Sequence, residues 1–155
     1  MIDLMTFTLR LGAALLAGLL VGLEREWKHK NAGLRTNTLV AVGSAIYVMI
    51  SVDVAATAEM ADATRVIGQV VTGVGFLGAG VILHRGQNVR GLTTAAGIWC
   101  SAAVGCLAGL GLFAETGITT GAIIIVNGVF IWVDRWLEQR KPPRAKTPAE
   151  ERETS

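Results

Sequence analysis

The sequence predicts an all-α fold: a multi-pass transmembrane bundle of five helices, with the N-terminus outside and the C-terminus cytoplasmic. Three observations predict it. Hydrophobic residues make up 52% of the 155-residue chain and charged residues only 17%, with a mean hydropathy of +0.51, whereas a soluble domain carries about 25% charged residues. The charges cluster, with six between Glu24 and Arg35 and nine between Glu138 and Glu153, and none in 11–23, 36–52, 66–83, 91–114 or 116–133. Those bare stretches are continuously apolar and approach the ~20 residues that cross a hydrocarbon core. They lack the period-two alternation of a β-barrel strand. The same composition excludes disordered, collagen-like and disulfide-scaffold classes, and two Cys cannot by themselves complete a four-ligand zinc site.

Each span follows from a bare stretch. The first lies near 5–23 and includes Arg10. A cleaved signal peptide would start with basic residues and end in a small-residue cleavage site; here the first basic residue is Arg10 and the span runs into a charged loop, so it reads as a mature helix. The others lie near 37–56, 66–84, 92–112 and 116–136. Together they form a transmembrane domain over 1–137. Residues 138–155 hold Pro142 and Pro143 and no apolar periodicity, and read as a polar, disordered cytoplasmic tail.

Orientation follows from Lys and Arg in short loops. The segments 24–35 and 84–91 and the tail from Asp134 share one side of a five-span chain and hold 12 of its 14 basic residues. That side is assigned to the cytoplasm, against the anionic lipid bilayer surface. Topology accounts for the charges, so no nucleic-acid binding is expected.

Small residues recur inside the spans. Gly73-Val74-Gly75-Phe76-Leu77-Gly78 matches a dinucleotide fingerprint but lies in an apolar span without the required strand and acidic residue. Gly75, Gly78 and Gly80 are instead assigned to helix packing, making the third helix thin and central, with a kink at Gly78-Ala79-Gly80 as the functional variant. Gly97, Ser101, Gly105 and Gly109 recur every fourth residue on one face, as in close helix–helix contacts; packing within the chain and a homodimer face are both open. Gly33-Leu34-Arg35-Thr36 resembles Gly91-Leu92-Thr93-Thr94, a faint internal repeat relating the first two spans to the next two. Cys100 and Cys106 point apart on one helix. Arg10 reads as a snorkelling residue or as the partner of Asp3 on the same face. His29 and His84 have no second ligand at metal spacing, so neither metal nor cofactor is expected.

The cytoplasmic side is chemically richest. Glu24, Arg25 and Glu26 end the first span; Arg35, Thr36 and Asn37 open the second; Arg90, Thr93 and Thr94 open the fourth. Thr36, Thr93 and Thr94 suit helix N-caps, and helix N-termini beside Arg favour anions. These nine residues are either a ligand- or partner-binding cluster or ordinary caps and loop ion pairs.

At these residues the chain resembles the MgtC/SapB family of bacterial inner-membrane proteins. The matching runs are Gly22-Leu23-Glu24-Arg25-Glu26-Trp27, Ala32 to Ala41, Gly73 to Ile82, Asn88 to Ala96 and Trp99 to Ala102. The resemblance implies a multi-pass protein of the bacterial cytoplasmic (inner) membrane, linked to magnesium homeostasis, to growth in low magnesium and, in pathogens, to virulence inside macrophages. It also implies a membrane-protein partner, the F-type ATP synthase or a cation transporter. Virulence-type members carry a soluble C-terminal domain, often Asn at the position of Thr93 and an acidic residue at that of Arg85; the short branch of the family fits this chain better. The expected function is therefore a regulatory binding protein of membrane energetics or transport, not an enzyme, with an ion or small-solute transporter or channel as the alternative. The bare spans lack carboxylates, which speaks against cation conduction and against paired-carboxylate hydrolysis.

Overall fold

The computed structural model describes residues 2–57, 62–85 and 88–139. It is all-α apart from one short hairpin. The helices are α1 (Leu4–Trp27), α2 (Leu34–Ala55), α3 (Ala63–Val81), α4 (Leu92–Leu110) and α5 (Phe113–Gln139). All five are long and apolar enough to span a membrane, α5 over Phe113–Phe130. The last residues of the expected polar tail, 140–155, lie outside the described residues. Two compact units make up the chain, 1–124 and 125–155.

Local chemistry sets the ends. Asp3 caps α1, its carboxylate accepting from Thr6 N at 2.9 Å and Thr6 Oγ1 at 2.7 Å. α1 runs one turn past the expected 23, through the charged residues to Trp27, because Glu24 and Arg25 are good helix formers and Glu24 pairs with Lys28 one turn on. It stops in a Schellman turn: His29 N donates to Glu26 O, Lys30 N to Arg25 O, and His29 takes φ +51. Asp62 caps α3 through Thr64. α3 ends at Val81, earlier than the expected 84, because Leu83–Arg85 (β1) pairs antiparallel with Asn88–Arg90 (β2). Gly111, at φ +81, ends α4 in a second Schellman turn, with Leu112 N on Leu107 O.

The centre belongs to α2 and α4, not to α3 as the glycine pattern suggested. α4 buries ten residues, whereas α3 buries only Val74 and Gly78. The reason lies in where glycines meet neighbours. A Cβ at Gly105 would collide with the Ala41 carbonyl, and one at Gly109 would lie 2.7 Å from Ala45 O. On the other face of α2, a Cβ at Gly18 would lie 2.8 Å from Thr38 Cα and 3.0 Å from Ala41 Cβ. Ala41, fully buried, is thus clamped between α1 and α4. Such close approach maximises dispersion contacts in lipid, where no hydrophobic force drives helices together. Gly78 meets Ala95 of α4, its Cβ at 3.5 Å and its Cα at 4.0 Å, whereas Gly75 and Gly80 meet nothing within 4 Å among the described residues; neither of the latter two packs against a described helix.

Arg10 lies near the α4 terminus. Its Nη1 donates to Gly109 O at 2.9 Å, a cation on the negative end of the α4 dipole. Asp3 accepts from Thr6 in its own cap, and the alternative reading of an Asp3–Arg10 pair is not realised among the described residues. Nearby, Ile2 N donates to Asp53 Oδ1 at 2.8 Å, tying the chain start to α2.

Candidate functional site

At the opposite end, where α1 finishes and α2 and α4 begin, the sequence places an arginine that cannot reach solvent. Arg25 is 2% exposed. Its Nε donates to Ala32 O at 3.3 Å and its Nη2 to Thr94 Oγ1 at 3.0 Å. Gly97 makes room for it: a Cβ there would sit 3.3 Å from the guanidinium carbon. The role of Gly97 is therefore to admit a side chain, not to bring two backbones together. Its charge is supported by these hydrogen bonds, by the electrostatic attraction of the neighbouring Glu24 and by the C-terminal dipole of α1.

Asn37, fully buried, extends the network. Its Nδ2 donates to Ala32 O at 2.9 Å and Gly33 O at 2.8 Å, and its Oδ1 accepts from Ser101 Oγ at 2.8 Å. Ala32 O thus receives both Arg25 and Asn37. The chain of bonds Thr94–Arg25–Ala32–Asn37–Ser101 joins α1, the α1–α2 turn, α2 and α4. Ser101, expected as a packing residue, is a hydrogen-bond partner. A network satisfied in this way holds its members in one arrangement, since an orphaned buried group would cost about 1–3 kcal/mol.

The remaining expected residues divide by position. Glu26 Oε2 accepts from Leu34 N at 3.1 Å and so supplies the α2 cap from α1. Gly33 has no side chain to do so, and a Cβ there would collide with Glu26. Glu24 pairs with Lys28. Arg35, Thr36, Arg90 and Thr93 are exposed. None of Thr36, Thr93 and Thr94 is an N-cap: Gly33 caps α2 and Gly91, at φ +95, caps α4. A Cβ at Gly91 would strike the Val81 carbonyl, so the β2–α4 corner admits only glycine. In both segments of the faint repeat the glycine precedes the first helical leucine, but Gly33 has φ −95 and Gly91 φ +95.

Two shallow basins flank the network. One, about 180 Å³, is lined by His29, Lys30, Asn31, Gly91, Thr93 and Thr94. The other, about 400 Å³, is lined by Glu26, Asn31, Gly33, Leu34, Arg35 and Thr36. Arg90 lines neither. Asn31, which lines both, and Lys30 escaped the sequence reading; the signal was their place in the polar turn between two spans. Among the described residues no cluster of His, Cys, Asp or Glu could hold a metal ion.

The fold and this site define a class: a multi-pass membrane protein that keeps an arginine-centred polar network where its first, second and fourth helices meet. The chain belongs to the MgtC family, whose pattern it matches over residues 11–136. It is 53% identical over 119 residues to Protein MgtC of Brucella abortus (strain 2308), covering 77% of this chain and 49% of that protein. It is 50% identical over 95 residues to Protein MgtC of Salmonella typhimurium (strain LT2), covering 61% of this chain and 39% of that protein. The chain thus spans half or less of these relatives. No solved structure matches it.

Proposed function

We propose that the protein resides in the bacterial inner membrane, N-terminus outside and C-terminus cytoplasmic, and acts there by binding, as a regulator of membrane energetics or transport when magnesium is scarce. It catalyses no reaction in this reading. Its partner is a second membrane protein, the F-type ATP synthase or a cation transporter, or a second copy of itself. The observation that carries the reading is the arrangement around Arg25. A buried hydrogen-bonded network joins the starts of α2 and α4, while Arg35, Thr36 and Thr93 stand exposed without a described partner. Rigid support under free polar groups is what a binding surface requires.

Growth at limiting magnesium tests this. Arg35→Ala and Arg90→Ala should each impair growth at unchanged membrane levels of the protein. Full growth in both removes the surface from the mechanism. A transporter or channel is the second reading, favoured by the polar side chains of Asn37 and Ser101 inside the helix bundle, since polar groups within spans mark solute pathways. Ion flux into proteoliposomes containing this protein alone would support it instead.

A further inference from the structure

A second site lies away from the polar network, between α2 and α3. There a cleft of about 520 Å³ is lined almost wholly by apolar groups, with Ser44, Tyr47 and Gln69 as its polar side chains and no charged residue. The size falls within the range of small-molecule pockets, about 300–1,000 Å³. Ser44 is 4% exposed, yet its hydroxyl has no hydrogen-bond partner among the described residues. The Tyr47 phenol and the Gln69 amide likewise have none. Ser44 lies about 15 Å along α2 and Gln69 about 9 Å along α3, inside helices long and apolar enough to span a membrane. Hydrocarbon offers such groups nothing to bond.

Two glycines open the cleft. Gly43 and Gly73 both line it, and a Cβ on either meets nothing within 4 Å. They differ from Gly105 and Gly109, whose missing Cβ atoms let backbones touch. The space they leave is room that no described residue fills. Polar groups gather toward the end where α2 finishes and α3 starts, and Leu39 and Leu77 line the other end.

We propose that this cleft binds a neutral lipid with a carbonyl-bearing head and an apolar tail. All three polar side chains can donate to a carbonyl oxygen. The absence of Lys, Arg and His from the lining disfavours a phosphate or carboxylate head, and the apolar remainder suits a chain. A quinone or a diacylglycerol has this chemistry without a charge; a phospholipid shares the ester carbonyls but adds a charged phosphate, for which the lining offers no cation.

The test uses the full chain in nanodiscs of phosphatidylcholine, with unfolding temperature followed against added decylubiquinone and, separately, dioleoylglycerol. A saturable rise is expected with at least one of them, and which one responds distinguishes the sources. Added phosphatidylglycerol should give none. Gly43→Leu and Gly73→Leu, whose Cβ atoms meet nothing within 4 Å, place side chains in the cleft and should abolish the rise. Tyr47→Phe and Gln69→Leu should raise the half-saturating concentration about five- to tenfold. Should the glycine variants fail to fold, Tyr47→Phe decides: an unchanged half-saturation overturns the site. So does the absence of any rise in the parent protein, an equal rise with phosphatidylglycerol, or an undiminished rise in a folded glycine variant.

Discussion

Arg25 Nη2 donates to Thr94 Oγ1 across 3.0 Å, and this bond joins the last turn of α1 to the first turn of α4. The two residues lie far apart in the chain, and neither has another described side-chain hydrogen-bond partner. The contact holds a full charge in a place that is 2% exposed. Removing either group leaves the other buried without its partner, which is the costlier half of the exchange.

Arg25→Ala should therefore lower stability by about 3 kcal/mol, combining a cavity with two lost charge-assisted bonds. Arg25→Lys should recover only part of it, because an ammonium cannot reproduce the fork that meets Ala32 O and Thr94 Oγ1 together. Thermal unfolding in detergent reads both. An Arg25→Ala protein as stable as the parent would show that the network is not structural.

The Asn37–Ser101 bond should appear as a coupling. Ser101→Ala deprives the Asn37 carbonyl of its only described donor, at about 1–2 kcal/mol. A double-mutant cycle with Asn37→Ala should return an interaction energy of about 1 kcal/mol. Strict additivity would contradict the geometry.

Glycines alike in sequence should behave oppositely. Gly105→Ala drives a Cβ into the Ala41 carbonyl and should cost about 1–3 kcal/mol or abolish folding. Gly75→Ala meets open space and should be neutral or stabilising, by up to about 1 kcal/mol from helix propensity. Equal effects of the two would refute the assignment of α2 and α4 to the centre.

The α1 terminus offers a stabilising change. His29 holds φ +51 at the Schellman position, where glycine is free of the Cβ penalty. His29→Gly should raise stability by about 1 kcal/mol, measured as a higher unfolding midpoint. A lower midpoint would mean that the imidazole makes a contact worth more than the strain.

Acid should loosen two helix starts. The backbone N–H and hydroxyl of Thr6 hold the Asp3 carboxyl below its usual range, and the hydroxyl and N–H of Thr64 do the same for Asp62. Groups depressed in the folded state contribute stability above the unfolded pKa of about 3.9 and lose it as pH falls through the lower folded value. The protection factors of the Thr6 and Thr64 amides, which divide out the intrinsic exchange rate at each pH, should fall below about pH 4 and stay level from pH 5 to pH 8. The pH dependence at Thr64 should vanish in Asp62→Asn, whose side-chain oxygen still caps but does not titrate; its persistence there would assign the effect to another group.

Much of the fold was legible because membranes impose a one-dimensional rule. Apolar length and the placement of charge announce spans, and five helices lie where the uncharged stretches fall. The ends were less legible. Glu24, Arg25 and Glu26 read as a loop by charge but are helical, since charge does not end a helix and capping geometry does. The hairpin over Leu83–Arg85 and Asn88–Arg90 is too short to leave a periodic signal. In the site, residue choice along the sequence drew attention to Arg25, Asn37 and Thr94, but could not tell a buried bond from an exposed cap.

By itself, then, the sequence determined the class of fold, the number of long apolar helices and the family, because these depend on composition and local order. Only the tertiary structure decided which glycines carry weight and which polar residues are sheltered. Gly75 and Gly105 are identical residues on equally apolar helices, yet one faces open space and the other the Ala41 carbonyl. That difference depends on which helix arrives alongside. The same holds for Arg25, whose guanidinium is buried only because Gly97, from a distant span, lies against it.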